Sequence, residues 1–479
     1  MHRWSACLVV VGLVVAGLAG CAPGQVGIRA DPSLYPTFQT SVVDYVNRCD
    51  PSRPTSVDVA VPSGTTVSVD GAAPRGGSFT ARVAQQVGRR FTIAVTTDGT
   101  TTTHHVRCLP TDFPAWTAER KGTPQAAFYV TSPWDGFGSP SYPVIYDTNG
   151  VPVWWGPKTT RFFATLLPNG NMAWNVGDVI EEHRLDGSLV RSYATVGAPL
   201  DFHDLILLPN GNHVVVSLSE RSDGDFSSWG GPARAPFVDH VIQEISPQGD
   251  VVWSWTTSEH IAIAETPGSW RAQELRDPGG GFGSNYDPFH YNSIEDTGDG
   301  FIVSFRHLDA VYKIDKATKD IVWKLGGTPR NESLTVRNDP AFERAGGGGF
   351  GGQHDARLLS DDTVTLYDNG TLRNRPPRSV AYQLDLDDRT ATRVEDVRDP
   401  QVASSGCCGS TRVLPDGNYV TAWGINSSGA PDITESTDTD DPRFRLWFPD
   451  HNVYRGVPVT SSELSRADLR AGMDAQLGP

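Results

Sequence analysis

Three stretches decide the fold: Thr165-Leu-Leu-Pro-Asn-Gly-Asn171, Ile206-Leu-Leu-Pro-Asn-Gly-Asn212 and Val413-Leu-Pro-Asp-Gly-Asn418. Each is an apolar run, a tight turn and a second apolar run, the pattern of an antiparallel hairpin. Looser copies stand at Ile294-Glu-Asp-Thr-Gly-Asp-Gly300 and Leu358-Leu-Ser-Asp-Asp362, and a divergent first unit lies near Val144–Trp154. A third strand with its own turn follows in His183-Arg-Leu-Asp-Gly187, Ile245-Ser-Pro-Gln-Gly249 and Ile314-Asp-Lys-Ala-Thr318. An outer, Trp-bearing strand comes next, as in Val251-Val-Trp-Ser-Trp255 and Ile321-Val-Trp-Lys324. A lone unit of this kind cannot bury its faces, so the series predicts an all-β chain built as a six-bladed β-propeller.

Upstream, Val57-Asp-Val-Ala-Val61, Thr65-Thr-Val-Ser-Val69 and Phe91-Thr-Ile-Ala-Val95 alternate between Pro, Gly and Asp turns. They predict a small β-sandwich closed by a Cys49–Cys108 disulfide. The expected organisation is a signal peptide over 1–20, a linker over 21–35 and the sandwich over 36–112. The propeller follows over 113–460, and a short helical tail over 461–479.

The N-terminus reads as an export signal. Leu8–Leu18 is an apolar run too short to span a bilayer, and it ends in Leu18-Ala19-Gly20-Cys21. Small residues before a Cys resemble the lipobox of bacterial lipoproteins, which implies lipidation at Cys21. The expected location is the extracytoplasmic face of the cell envelope, with membrane attachment through that lipid only. The chain has 479 residues, 40 Lys+Arg and 56 Asp+Glu, for a net charge of −16. A polyanion would be repelled, so nucleic acid is not an expected partner. Cys407 and Cys408 are adjacent. Neighbouring Cα atoms lie about 3.8 Å apart, below the usual disulfide range of about 4.4–6.8 Å. A strained bond and two free thiols both stay open.

Counting six residues back from the first turn gives His203, His290 and His354 in three units, and Phe162 and Gly409 in two others. First strands of a propeller are innermost and start at one end of the channel, so the three imidazoles converge at one mouth. The second strand of the fourth unit returns Arg306 beside His290, and the fifth returns Asn369. Asn292 shares a strand face with His290, whereas Asp204 and Asp355 point the other way. No carboxylate is expected to point in. Such a pocket is rich in donors and suits a small tetrahedral anion. Two glycine-rich loops, 279–283 and 346–352, precede His290 and His354. They are either flexible surface or a source of N–H groups for an anion. A three-His zinc site is the rival, with Arg306 against it. No P-loop and no G-x-S-x-G elbow is present.

These residues resemble the bacterial arylsulfate sulfotransferases of the type that does not use a nucleotide donor. The resemblance rests on Asp201-Phe-His-Asp-Leu-Ile-Leu-Leu-Pro-Asn-Gly-Asn212, His290-Tyr-Asn-Ser-Ile294, Phe305-Arg-His307, Ala310-Val-Tyr-Lys-Ile314 and Gln353-His-Asp-Ala-Arg357. It implies a six-bladed propeller behind a small β-domain and a ping-pong reaction without cofactor or metal. His354 takes the sulfuryl group from an aryl sulfate and passes it to a phenol. His290, His203 and Arg306 are the further catalytic residues it implies. Asn292, Asn369 and Thr411 are the expected substrate contacts. The alternatives are a non-enzymatic propeller that binds an anion or an envelope ligand, and a metal-dependent hydrolase using the three histidines.

Overall fold

The computed structural model describes residues 25–136, 138–281, 285–343, 348–359, 362–439 and 441–478. The signal peptide, Cys21 and parts of both glycine-rich loops lie outside them. The chain divides after Cys108 into two compact units.

The smaller unit holds two sheets. Gly27–Asp31, Thr55–Ala60 and Ser78–Val83 form one; Asp44–Asn47, Thr100–Cys108, Arg90–Thr97 and Thr65–Val69 form the other. Alternate residues point inward, so Val57, Val59, Val67, Val69, Phe91, Ile93 and Val95 merge into one core. Cys49 and Cys108 are bonded, as the spacing suggested. The linker expected over 21–35 is corrected: Gly27–Asp31 is a strand paired with Thr55–Ala60. Its inward signal is essentially one residue, Ile28, too thin for periodicity to register.

The larger unit is a succession of six sheets among the described residues, antiparallel except where Thr335–Arg337 pairs parallel with Thr390–Val397 in the fifth. Their first strands are Phe128–Thr131, Ala164–Leu166, Leu200–Leu207, Tyr291–Asp296, His354–Leu358 and Ser410–Val413. The turn motif explains the hairpins. In Leu167–Asn171, Leu208–Asn212 and Leu414–Asn418 the Leu and Asn backbones pair, and the glycine takes φ of +82°, +85° and +97°. The last Asn of each motif then donates to a buried glutamate on the third strand: Asn171 to Glu182, Asn212 to Glu244 and Asn418 to Glu435, at 2.5–2.7 Å. Each turn is thereby tied to its own sheet.

Two short strands close the series. Thr117–Arg120 joins the outer edge of the sixth sheet, and Val457–Val459 joins the inner edge of the first. The helical tail is Arg466–Leu477; Asp468 donates its N–H to the Ser465 hydroxyl at its start, and Met473 is buried. A helix at Gly268–Arg276 was not expected; it lies in an irregular stretch between the third and fourth sheets. No helix among the described residues is long and apolar enough to cross a membrane.

Cys49–Cys108 closes a loop of 59 residues, which in the chain-entropy account is worth about 4 kcal/mol. Replacing both by Ser should lower the stability of the smaller unit by about 2–4 kcal/mol, read by denaturant unfolding of the whole chain. An unchanged transition would count against a stabilising bond.

Candidate active site

His203 lies within the first strand Leu200–Leu207, His290 directly precedes Tyr291–Asp296, and His354 opens His354–Leu358. His203 and His290 have ring centroids 5.9 Å apart. Tyr454 lies 5.4 Å from His203 and 6.1 Å from His354, and so joins the third imidazole to the other two. His354 is 2 % exposed, whereas the side chains of His203 and His290 are 17 % and 27 % exposed. One histidine thus forms the floor and two form the wall.

The three differ in what touches Nδ1. His203 Nδ1 bonds Asp201, and His290 Nδ1 bonds Asp287 at 2.5 Å. The expectation that no carboxylate points in is therefore overturned. Asp201 stands two residues before His203 and accepts the His203 backbone N–H at 3.0 Å, so a local turn at an irregularity of the strand brings the two side chains together. Asp287 precedes the strand, and His290 turns back over it with φ of +52°. His354 is different: its Nδ1 faces Asn369 Oδ1 at 2.7 Å and the Gly352 carbonyl at 2.8 Å. Both are acceptors, so Nδ1 carries the proton and Nε2 the lone pair. That lone pair receives the Cys408 backbone N–H at 3.2 Å.

Burial, seconded by the Arg306 guanidinium, holds the His354 pKa well below the ordinary histidine value. Burial does the same to His307, and it outweighs Asp287 to lower His290.

Arg306 follows strand Gly300–Phe305, and its N–H donates to the His290 carbonyl at 2.7 Å. Its guanidinium donates to His307 Nε2 (2.9 Å) and the Gly406 carbonyl (3.0 Å), and lies 4.5 Å over the Trp270 ring. Its Nε is buried without a partner among the described residues. His307 is stacked between Trp270 at 4.4 Å and His290 at 4.6 Å. Glu274 accepts from the backbones of Asp287 (2.7 Å) and Gly279 (3.1 Å), and burial pushes its carboxyl up to about 7. Trp270, Glu274 and Asp287 come from the irregular 257–289 stretch, which offered no periodic signal. Asn292 spends one N–H on the Gln353 carbonyl. Asn369 also donates to the Cys408 carbonyl and to Ser405.

Thr411 is not brought to this group. Its hydroxyl bonds Ser379 at 2.6 Å, between the fifth and sixth sheets. Gly351 and Gly352 donate their amides to Asp368 and Asp309, so these two do not present N–H groups to an anion. Gly352 itself is required: φ is +64°, and a Cβ would stand 3.1 Å from Trp270. Cys407 and Cys408 are free thiols. A pocket of about 400 Å³ opens beside Asn369, lined also by Thr371, Asn374, Arg375, Ser405 and Gly406.

The three aligned histidines are not the set nearest to a metal-ligand cluster. That set is Asp287, His290 and His307. Both nitrogens of His307 are already engaged, one by the Asp287 carbonyl and one by Arg306.

An all-β chain that gathers a neutral buried imidazole, a guanidinium and two histidine–aspartate pairs is built to handle an anionic group. The chain belongs to the arylsulfotransferase (ASST) family, whose model matches residues 116–455. That membership supports aryl sulfotransferase activity in the broad sense, with an aryl sulfate donor and a phenol acceptor as the substrate classes it implies. No curated protein matches the chain. Among solved structures, a Bacteroides caccae protein of unknown function is similar at 11 % identity and TM-score 0.39, covering 72 % of this chain and 97 % of its own. The Cps50 (Swd1) beta-propeller domain of Myceliophteria thermophila is similar at 11 % identity and TM-score 0.36, covering 69 % and 89 %.

Acidification should destabilise the fold through its buried imidazoles. His307 and His354 have folded-state pKa values below the unfolded value of about 6.5. Below that pH the unfolded chain binds the protons first, so their contribution is intact above about 6.5 and is lost as pH falls. His307→Gln should flatten the dependence of unfolding free energy between pH 6 and 5 by about 1.4 kcal/mol per pH unit. An unchanged slope would mean that His307 is charged in the fold.

Proposed function

We propose that this protein moves a sulfuryl group from an aryl sulfate to a phenol by a ping-pong route through His354. We read the six sheets as the blades of a six-bladed propeller and the smaller unit as a β-sandwich. The carrying observation is the tautomer of His354: Nδ1–H faces two carbonyl oxygens, and the lone pair sits on Nε2. Nε2 attacks sulfur, the bond from sulfur to the aryl oxygen breaks, and the phenol leaves. The ring gains positive charge as the nitrogen–sulfur bond forms, and Asn369 and Gly352 accept from the Nδ1–H that carries it. Arg306 and Asn292 donate to the sulfuryl oxygens. A phenol acceptor then attacks the same sulfur and frees Nε2.

The wall histidines handle the phenol proton. Each is paired through Nδ1 with a carboxylate, which fixes the orientation of the ring. Either can protonate the leaving oxygen and deprotonate the acceptor. Phe162 and Tyr454, 5.1 Å apart beside His203, offer an aromatic wall for the aryl ring. The lipobox-like Leu18–Cys21 supports export and a lipid anchor at Cys21, on the extracytoplasmic face of the envelope.

The intact mass after incubation with an aryl sulfate and no acceptor tests the reading. One added sulfuryl group is expected on the wild type, discharged by phenol and absent from His354→Asn. An unmodified wild type across several aryl sulfates would refute the covalent route. The aspartates separate the two wall histidines. Asp287→Asn should slow donors with poorly leaving phenols about 10²-fold and leave those with activated phenols little changed. If only Asp201→Asn behaves so, the acid is His203.

A further inference from the structure

Cys407 and Cys408 sit against the floor of the site. The peptide between them is held at both ends: the Cys407 carbonyl accepts from Ile425 N–H at 3.1 Å, and the Cys408 N–H donates to His354 Nε2. Cys408 has a φ of +66°, and Gly424 is needed opposite, where a Cβ would meet the Cys407 carbonyl at 2.1 Å. The backbone is therefore built to aim one N–H at one lone pair. That lone pair is the one the transfer reaction uses, so this hydrogen bond masks the nucleophile.

We propose that Cys407–Cys408 is a modification site for disulfide-bearing oxidants, and that closing it into a ring unmasks His354 Nε2. The inference rests on His354 being the nucleophile. Cys407 is partly exposed and follows Gly406, which lines the open pocket; Cys408 is buried behind it. The neighbouring Cys408 thiol, with Arg306 nearby, lowers the Cys407 pKa against the effect of burial. Cys407 is thus the attacking thiolate and Cys408 the resolving one.

The chemistry balances without a further reagent. Cys407 sulfur attacks one sulfur of the oxidant, whose disulfide bond breaks and releases one thiolate. Cys408 then gives up its proton and attacks the Cys407 sulfur, releasing the second thiolate. Two cysteine thiols lose two electrons and two protons, and one disulfide becomes two thiols. The Cα atoms of neighbours are about 3.8 Å apart, below the usual disulfide span of about 4.4 Å or more. Closure must therefore twist the very peptide whose N–H caps His354.

The test uses the whole protein, with glutathione disulfide as oxidant and a reduced control. Trypsin cuts after Arg398 and Arg412, so one peptide reports both cysteines. Expected are two cysteines closed to alkylation in the oxidised sample, with no glutathione retained. Sulfuryl loading from an aryl sulfate should be about fivefold faster in that sample, as befits one hydrogen bond removed from the nucleophile. Loading of Cys407→Ser and Cys408→Ser should not respond to the oxidant. A pair that stays alkylatable, stops at the mixed disulfide, or closes without faster loading overturns the proposal. Loading in neither state would instead defeat the His354 reaction. The dithiol is then judged by the His354 ring-nitrogen resonances, assigned with His354→Asn. A shift on oxidation away from the hydrogen-bonded position upholds the coupling; no shift overturns it.

Discussion

A buried knot of charge below the three histidines is the constraint on which the larger unit depends. Asp204 binds Arg455 and Arg357, each at 3.0 Å, and Asp355 binds Arg357 at 2.8 Å and also Arg412. Backbone groups complete it: Ile294 N–H on Asp204, Thr411 N–H on Asp355, and the Ile294 and Asn292 carbonyls on Arg357 and Arg455. Third, fourth, fifth and sixth sheets meet there, with the segment that leads into the closing strand of the first. Charges so buried are tolerable only when every partner is in place, and removing one typically costs about 3–5 kcal/mol. The knot therefore penalises any slip between sheets. Asp204 follows His203 and Asp355 follows His354, so the residues that lock the strands are chain neighbours of those that form the site.

The knot also shapes the field above it. Three guanidiniums face two carboxylates, and although burial and Arg357 pull Arg412 down to about 10, it stays charged near neutrality. Arg306 adds a further cation. A chain with a net charge of −16 would repel an anionic donor from most of its surface, so a locally positive floor is what allows binding. Burial first, and the Arg306 guanidinium second, disfavour imidazolium at His354, which keeps that ring neutral.

The parts legible in the sequence are those whose local chemistry is obligatory. A hairpin turn that needs φ > 0 demands Gly, and the repeated Pro-Asn-Gly and Pro-Asp-Gly signatures therefore exposed the strand units and His203, while the looser copies of the same turn placed His290 and His354 in register with it. Asp201 was not singled out, because it meets His203 through a local turn at an irregularity of the strand and not through strand alternation. The closing strands Thr117–Arg120 and Val457–Val459 were not legible, because a segment of three or four residues pairing with the opposite end of the chain carries no periodicity. Trp270, Glu274 and Asp287 were hidden for another reason: the stretch that holds them obeys neither the strand nor the amphipathic-helix pattern. Thr411 lay on the right strand, but its hydroxyl is spent between two sheets.

That division says where asymmetry comes from. Repeated units deliver equivalent residues to equivalent places, and three equivalent histidines cannot divide a reaction between nucleophile and acid–base. The difference arises at Nδ1. A carboxylate stands there at His203 and His290, and it holds each ring in place. Neutral carbonyls there, as at His354, leave the imidazole weakly basic and uncharged. Asp287 comes from the irregular insertion, and the N–H on His354 Nε2 comes from the turn that carries Cys408. Both lie outside the hairpin repeat. The repeat thus sets positions, and the departures from it set the surroundings of His290 and His354.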